Sequence, residues 1–183
     1  MESTQALGKR SSLLIKNQIY SLVILPTSEK RKLNLLFLWL MAWSVSGVLV
    51  IANYFTLTNE NEKTVLIVWL AFWAYFEFKI MRVYMWKRFG KEKLWIKNGT
   101  LFYQQDINGR GKIKEYDINL ISEFRVLPIK ESSFVDSFFQ SYWVKGGERI
   151  EFNTQQKLQR FGLQLEDDEA KKIVASLHKF LKL

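Results

Sequence analysis

The chain contains two long apolar stretches that are separated by a short acidic loop. The first, from Leu33 to Asn59, has no charged residue, and the second reads TVLIVWLAFWAYFEFKIMRVYMW. A helix needs about 20 predominantly apolar residues to cross a hydrocarbon core of about 30 Å. The first stretch exceeds that length without interruption, and the second reaches it only by including Glu77 and Lys79. The pattern predicts a transmembrane hairpin at residues 33–86, with spans at about 34–57 and 64–85.

After residue 86 the pattern changes to short alternating stretches broken by turn signals. Asn98-Gly99, the NGRG sequence at 108–111 and Gly146-Gly147 are typical of tight turns between strands. The last segment, EDDEAKKIVASLHKFLKL, has apolar residues at helical spacing, and its acidic start suits the helix dipole. The pattern predicts a domain at 87–183 with seven strands, the last at about 157–163, and a C-terminal amphipathic helix.

The segment before the first span, residues 1–32, has a weaker pattern. Residues 1–10 are polar, and residues 11–26 mix apolar and polar positions. That mixture fits a helix in the membrane interface or a short strand at 19–25, and periodicity cannot separate the two over so few residues. We therefore treat residues 1–32 as a separate cytoplasmic segment.

Basic residues are concentrated beside the two spans. The net charge is +9, with six basic residues in 1–33 and five more in 82–93, whereas the loop between the spans holds Glu60 and Glu62 against Lys63. Basic residues mark the cytoplasmic ends of spans. We expect a multi-pass protein of the bacterial cytoplasmic (inner) membrane with both termini in the cytoplasm. Because the charge lies at the membrane boundaries, it does not indicate a nucleic-acid partner.

The composition excludes several kinds of chemistry. The absence of Cys excludes disulfides, thiol nucleophiles and Cys-ligated metals, and the single histidine, His178, excludes clustered-His metal sites. His178 has no sequence neighbour typical of a nucleophile–histidine pair. The turn at 109–111 lacks the strand–helix context of a nucleotide-binding loop. We predict no catalytic residue, no metal site, no cofactor and no enzymatic activity.

The order of the elements resembles a known architecture. Seven short strands followed by one helix is the order found in pleckstrin-homology-like (PH-like) domains. The sequence IKNGTLFYQQDINGRGKIKEYDINLISEFRV resembles the opening half of bacterial PH-like domains. FGLQLEDDEAKKIVASLHKFL resembles the closing strand and helix of small bacterial membrane proteins in which two transmembrane helices precede such a domain. The resemblance covers roughly residues 33–183. It implies a membrane α+β fold, with a transmembrane hairpin followed by a PH-like seven-stranded β-barrel or sandwich and a C-terminal helix.

Two groups of basic residues are candidates for binding lipid headgroups. One group follows the second span, and the other surrounds the turn at 108–111; they are Lys87, Arg88, Lys91 and Lys93, and Arg110, Lys112 and Lys114. Basic clusters beside a span attract anionic lipids. The alternative is that these charges only determine topology. The PH-like fold does not by itself imply phosphoinositide binding.

Charged and aromatic residues of the spans are candidates for contact with another protein. Glu77 lies about 20 Å along the second span, past its middle, where a charge is costly. It either contacts a polar group of a partner or reaches the cytoplasmic headgroups together with Lys79. Trp69 and Trp73 lie in the body of the span, like Trp39 and Trp43 in the first, and they face either a partner or lipid.

Two further interface predictions concern small residues and a loop. Ala42, Ser46 and Gly47 form a small-residue patch, which we expect to pack against the second span at Ala71 and Ala74. In the aromatic loop at 132–143 we select two candidates for an exposed contact, Phe134 and Phe138.

These features together indicate a membrane protein that binds other proteins. We expect a non-enzymatic accessory subunit, or an assembly or scaffold factor, of another membrane complex. Its expected partners are other integral membrane proteins in a hetero-complex and membrane lipids, and a homo-oligomer stays open. The alternative is a membrane-anchored sensor that binds anionic lipid or a small ligand through the PH-like domain.

Overall fold

The computed structural model describes residues 3–128, 145–154 and 157–182. Within these ranges the chain forms nine strands, three α-helices and a 3-10 turn. The elements are β1 Ser3–Ala6, β2 Ser11–Lys16, β3 Ile19–Ile24, α1 Lys30–Tyr54, α2 Glu60–Phe89, β4 Gly90–Lys97, β5 Thr100–Ile107, β6 Ile113–Asp117, the 3-10 turn Ile118–Leu120, β7 Ile121–Val126, β8 Glu148–Thr154, β9 Leu158–Leu163 and α3 Asp167–Leu181. The described residues form two compact units: the helical unit, Ser28–Arg88, and the sheet unit, which contains the chain on either side of it.

In the helical unit, the less exposed positions of each helix recur at alternating spacings of three and four residues. On α1 they include Leu40, Trp43, Gly47, Val50 and Tyr54, and on α2 they include Leu66, Leu70, Trp73, Glu77, Ile80 and Tyr84. This spacing is typical of two helices that pack along a single seam. The remaining positions are largely exposed and apolar. Both helices are long and apolar enough to cross a membrane, as the sequence predicted.

The larger sheet of the sheet unit has six antiparallel strands in the order β1-β2-β3-β4-β5-β6. Strands β3 and β4 are direct neighbours, with Tyr20 opposite Ile96 and Ile24 opposite Glu92. The whole helical unit is therefore inserted between two paired strands. The prediction of a separate N-terminal segment at 1–32 differs from this arrangement, because three strands of that segment belong to the sheet. Their pairing partner β4 lies beyond both helices, so local periodicity could not reveal it.

The smaller sheet has the order β7-β8-β9, and α3 packs against β7 and β8. One apolar core joins both sheets to the helix. Its most deeply buried members include Tyr20, Leu22, Leu94, Leu101, Phe124, Ile150, Phe152, Phe161, Ile173 and Leu177. In α3, Ile173 and Leu177 lie one turn apart, so the amphipathic pattern of the sequence places them on the face that meets the core.

The coarse fold prediction is confirmed: two long apolar helices, β-sheets after them and a C-terminal helix are all present. The strand count differs: seven strands were predicted at 87–183, whereas six are described there and three more lie before the helices, and no described strand pairs one sheet with the other. Two of the predicted contact residues, Phe134 and Phe138, lie outside the described residues.

Candidate partner interface

A polar pair lies in the seam between the two membrane-type helices. Ser44 Oγ is 2.7 Å from Glu77 Oε1 and donates to it, while it also lies 2.9 Å from the carbonyl oxygen of Leu40. Ser44 is halfway along the uncharged part of α1, which brings the Glu77 carboxyl group to the middle of the helical pair. The carboxyl group is thus turned into the seam.

The second oxygen of this carboxyl group is incompletely bonded. Glu77 Oε2 is buried and has no hydrogen-bond partner among the residues that the structure describes. A carboxylate can accept about four hydrogen bonds, and a neutral carboxyl group can donate one. Glu77 therefore has unused bonding capacity at a buried position, where an unsatisfied polar atom is costly.

A tryptophan and a glycine form the closest approach in the seam. Trp73 Nε1 donates to the carbonyl oxygen of Trp43 over 2.9 Å, which ties the two helices together. A Cβ atom placed on Gly47 would lie only 2.1 Å from the Trp73 ring, so this position requires glycine. The predicted packing against Ala71 and Ala74 is wrong: both are exposed, and the indole of Trp73 fills the space over Gly47.

Three tryptophan rings of the helical unit form a contiguous group, which we call the tryptophan group: Trp39, Trp43 and Trp69. The rings of Trp39 and Trp43 are stacked at 5.4 Å, and those of Trp43 and Trp69 are 6.3 Å apart. Trp39 and Trp69 are exposed, whereas Trp43 Nε1 is buried without a hydrogen-bond partner in the described part of the chain. Trp69, a candidate from the sequence, is therefore placed beside a second unpaired polar atom.

The side of α2 away from the seam carries two positive charges above aromatic rings. Lys79 Nζ lies 5.4 Å from the centre of the Tyr75 ring, and Arg82 Cζ lies 5.6 Å from the centre of the Phe78 ring. Both basic side chains are exposed and form no ion pair with any described residue. Cation–π contacts of this kind offset only part of the cost of a charge in a membrane.

The candidate lipid-binding residues after the second span do not behave alike. Lys87 and Arg88 belong to the last turn of α2, and Lys87 is buried. Lys91 and Lys93 lie on β4, where Lys93 Nζ is 2.6 Å and Lys91 Nζ is 3.9 Å from Asp106 Oδ2. The hydrogen bond from Lys93 is the main cause that lowers the pKa of Asp106. Asp106 thus compensates part of the charge that would attract an anionic lipid.

The second basic group lies at the edge of the larger sheet. Arg110, Lys112 and Lys114 are all exposed. The register places Lys114 opposite Tyr103, whereas Lys93 lies opposite Gln104, the next residue along β5. Because side chains alternate between the faces of a strand, Lys114 and Lys93 lie on opposite faces. Within the sheet unit, Lys93 and Lys114 therefore do not belong to one patch on a single face.

The sheet unit also contains buried carboxylates that the sequence analysis did not select. Glu92 accepts hydrogen bonds from Tyr103 Oη at 2.9 Å and from the backbone N–H groups of Gly162 and Leu163 at 2.9 and 2.8 Å. It thereby links β4 of one sheet to β9 of the other. Burial raises the pKa of Glu92 against the effect of these donors. The alternation GKEKLWIK could have revealed it, since Glu92 shares a strand face with Leu94 and Ile96.

Two other acids complete this set. Glu151 on β8 lies between Arg125 on β7 and Arg160 on β9, and both arginines donate to it. Glu169 at the start of α3 accepts from Ser11 Oγ at 2.6 Å and from the backbone N–H of Arg10 at 3.1 Å. The two hydrogen bonds to Glu169 fix the N-terminal strands to the C-terminal helix, which supports a structural role for the first residues of the chain.

No relative supplies an independent indication of function, because family models, curated proteins and solved structures all gave no match to this chain. In the described ranges, no three acidic or histidine side chains come close enough together to hold a metal ion. Buried polar side-chain atoms with incomplete bonding occur in both units of the described chain: Trp43 Nε1 and Glu77 Oε2 in the helical unit, and Asp106 and His178 Nε2 in the sheet unit.

Proposed function

We propose that this protein is a multi-pass protein of the bacterial cytoplasmic membrane, with α1 and α2 as its spans and the sheet unit in the cytoplasm. Two observations support the orientation: Lys30, Arg31 and Lys32 precede the uncharged part of α1, and Lys87 and Arg88 end α2. The acidic residues Glu60 and Glu62 lie at the opposite ends of the helices. Basic residues favour the cytoplasmic side.

In this proposal the sheet unit is a PH-like domain with an N-terminal extension. The resemblance implies seven strands and a helix after the hairpin, whereas the structure describes six strands and α3 there; in this proposal β3, from before the hairpin, is the seventh strand. Strands β1 and β2 extend the first sheet at its edge. The transmembrane hairpin is then an insertion after the first of the seven strands.

The proposed activity is non-enzymatic: the protein binds another integral membrane protein as an accessory subunit, or as an assembly or scaffold factor. The observation that carries this proposal is Trp43 Nε1, which is buried without a hydrogen-bond partner in the described part of the chain and belongs to the partly exposed tryptophan group. A buried polar group without a hydrogen bond costs several kcal/mol in hydrocarbon, where no water can replace the partner. A two-helix hairpin has only one seam, so a neighbouring protein is the source of the missing bond.

The test is a gentle detergent purification of the tagged protein from its native membrane, with the accompanying proteins quantified by mass spectrometry. We expect a stoichiometric set of membrane proteins. Trp69→Ala, which opens the tryptophan group, should reduce their recovery at least about tenfold, as loss of a central aromatic contact does. Val68→Ala is the matched control, because Val68 is the neighbouring residue and is exposed on the same helix.

Recovery of the protein without stoichiometric partners would contradict the accessory-subunit proposal. Equal losses in Trp69→Ala and Val68→Ala would contradict the assignment of the tryptophan group as the contact surface. Both variants should retain the elution volume and helix content of the original protein, since neither residue lies in the closest part of the seam.

A lipid or ligand sensor is the second candidate function, and the exposed basic edge at Arg110, Lys112 and Lys114 favours it. The test uses a sheet unit in which residues 28–88 are replaced by a short loop that joins β3 to β4. Binding to vesicles with anionic lipid, lost when Lys112 and Lys114 become Gln, would support the sensor. Absence of binding by the folded unit would count against it.

A further inference from the structure

Helix α2 carries a negative and a positive side chain on opposite sides, at nearly the same position along its axis. Glu77 and Lys79 are two residues apart, which corresponds to about 3 Å along the helix axis and about 200° around it. Glu77 therefore faces the seam while Lys79 is exposed on the outer side of the helix. Because of this angle, the two charges cannot neutralise each other within one chain.

We propose that Lys79 of one copy of this protein binds Glu77 of a second copy, so that the chain associates side by side with itself in the membrane. The inference rests on the membrane placement in the proposed function. All copies of a membrane protein share one orientation in the membrane. The depths of Glu77 in one copy and of Lys79 in its neighbour therefore differ by only about 3 Å. An ammonium group would supply the donor that Glu77 Oε2 lacks.

Access to Glu77 is provided by its surroundings in the seam. Oε2 itself is buried, but Glu77 as a whole residue is half-buried. Because the last torsion of a glutamate side chain is soft, the carboxyl group can turn towards an approaching donor. Ala74 lies one turn earlier on a neighbouring position of the helix surface, and it is small and exposed. The long flexible stem of Lys79 can follow this small-residue path.

A second copy explains the charges better than lipid does. A lone lysine near the middle of a span is costly, and the usual solutions are a partner charge or a short distance to the headgroups. The Lys79 side chain extends back over Tyr75. Tyr75 lies one turn closer to the middle of the helical pair, so the ammonium group does not extend towards the basic end of α2. The complementary charge at the required depth already exists in the same sequence.

The contact is heterologous, because it uses the Glu77 side of one copy and the Lys79 side of the next. Such a contact closes into a ring when the rotation between copies allows it, and otherwise extends into a row. The same protein would then present several tryptophan groups side by side, which would suit a scaffold.

The experiment uses the full-length protein in lipid nanodiscs and in mild detergent, with oligomers counted by native mass spectrometry. We expect oligomers of the original protein. Glu77→Gln and Lys79→Gln should each weaken association at least about tenfold, as loss of a close charge pair does. Arg82→Gln is the matched control: it removes a positive charge from the same exposed side about 4 to 5 Å further along the helix, and we expect at most a twofold effect.

Mixing the two weakened variants gives the sharpest outcome. A Glu77→Gln copy keeps Lys79, and a Lys79→Gln copy keeps Glu77, so one productive contact is possible between them. We expect dimers containing one copy of each variant and nothing larger. The exchanged double variant, with Glu77→Lys and Lys79→Glu, should recover oligomers, which a merely misfolded chain would not do.

Disulfide trapping locates the contact independently, because the chain contains no cysteine of its own. Ala74→Cys and Tyr75→Cys should form a linked dimer when mixed in nanodiscs, and neither should link with itself. A monomeric original protein, or equal oligomers in Lys79→Gln, would overturn the inference. If membrane proteins still co-purify with that monomer, the proposed function stands without self-association.

Discussion

The carboxylates of the two units differ in how completely they are bonded. In the sheet unit, Glu92, Glu151 and Glu169 each accept hydrogen bonds from at least two donors within the chain. In the helical unit, Glu77 accepts one bond from a serine hydroxyl, and its other oxygen has no partner in the described ranges. These three acids are thus bonded within the chain, and Asp106 of the same unit has Lys93 and Lys91 as ion-pair partners, whereas one oxygen of Glu77 has no partner among the described residues.

The largest expected effect tests whether the sheet unit is self-sufficient. Deleting residues 1–27 removes three strands of the six-stranded sheet and the contacts of Ser11 and Arg10 to Glu169, so we expect complete loss of cooperative folding. The matched control keeps residues 1–27 and replaces 28–88 by a short loop, because β3 and β4 are paired neighbours. Circular dichroism and urea unfolding should show a folded control and an unfolded deletion. A cooperatively folded deletion would show that the N-terminal strands are dispensable.

The next effect concerns the acid that links the two sheets. In the soluble unit just described, Glu92→Ala leaves the Tyr103 hydroxyl and two N–H groups of β9 without an acceptor. We expect a loss of about 3 to 5 kcal/mol in the free energy of unfolding, measured in urea. Glu115→Ala on the exposed strand β6 is the control and should change stability by less than about 0.5 kcal/mol. If Glu92→Ala lowers the free energy of unfolding as little as this control does, water readily replaces the Glu92 carboxyl group as hydrogen-bond acceptor.

The helical unit should respond to steric changes in its seam. Gly47→Ala places a methyl group where the Trp73 ring lies, so the helices must separate or the indole must move. We expect about 1 to 3 kcal/mol of destabilisation in detergent unfolding of the full-length protein. Val48→Ala, at the next and exposed position, should have little effect. An unchanged Gly47→Ala variant would indicate that the seam is looser than described.

Two buried acids of the sheet unit, Glu151 and Glu92, should make the free energy of unfolding depend on pH in opposite directions. For Glu151, burial acts to raise the pKa, but the hydrogen bonds and charges of Arg125 and Arg160 outweigh it and lower the pKa below its ordinary value of 4.5. Glu151 therefore contributes stability that is present above pH 4.5 and is lost as the pH falls through the lower, folded-state value. The raised pKa of Glu92 changes stability in the opposite direction. The favourable contribution of Glu92 is present below pH 4.5 and is lost as the pH rises through the higher, folded-state value.

Urea unfolding at several pH values checks this assignment in the soluble sheet unit. The Glu151→Gln variant should lack part of the decrease in stability that the original unit shows on acidification below pH 4.5. Arg125→Gln and Arg160→Gln should each reduce the same decrease. Parallel stability curves for all four proteins would argue that the arginines do not interact with ionised Glu151.

The smallest expected effect belongs to the serine that bonds Glu77. Ser44→Ala should cost about 0.6 kcal/mol, the average for hydrogen bonds between membrane helices. Ser46→Ala is the control, because its hydroxyl donates to the carbonyl oxygen of Trp43 within the same helix. If the Ser44 variant is no less stable than this control, the bond to Glu77 contributes nothing to helix packing, and the contrast with the sheet-unit acids becomes sharper.

The helices, most of the strands and the C-terminal helix were predictable because their signals are local. A long uncharged stretch indicates a span wherever it occurs, and Asn98-Gly99 indicates a turn from two residues. The placement of charged side chains was partly predictable: alternation along β4 puts Lys91 and Lys93 on one face and Glu92 on the other. The acceptor opposite those lysines, Asp106, lies on another strand, so pairing was needed to find it.

The sequence by itself determined that this chain has two membrane-type helices, a β-rich unit and no cysteine chemistry, since length, composition and short-range periodicity decide those features. Only the tertiary structure decided that β1 to β3 join β4, that Trp73 covers Gly47, and that Glu77 turns towards Ser44. Each of these depends on residues far apart in the chain, where packing and hydrogen-bond geometry determine the partner. The incomplete bonding of Glu77 and Trp43 belongs to this second class, because an unpaired atom can be recognised only once all neighbours are in place.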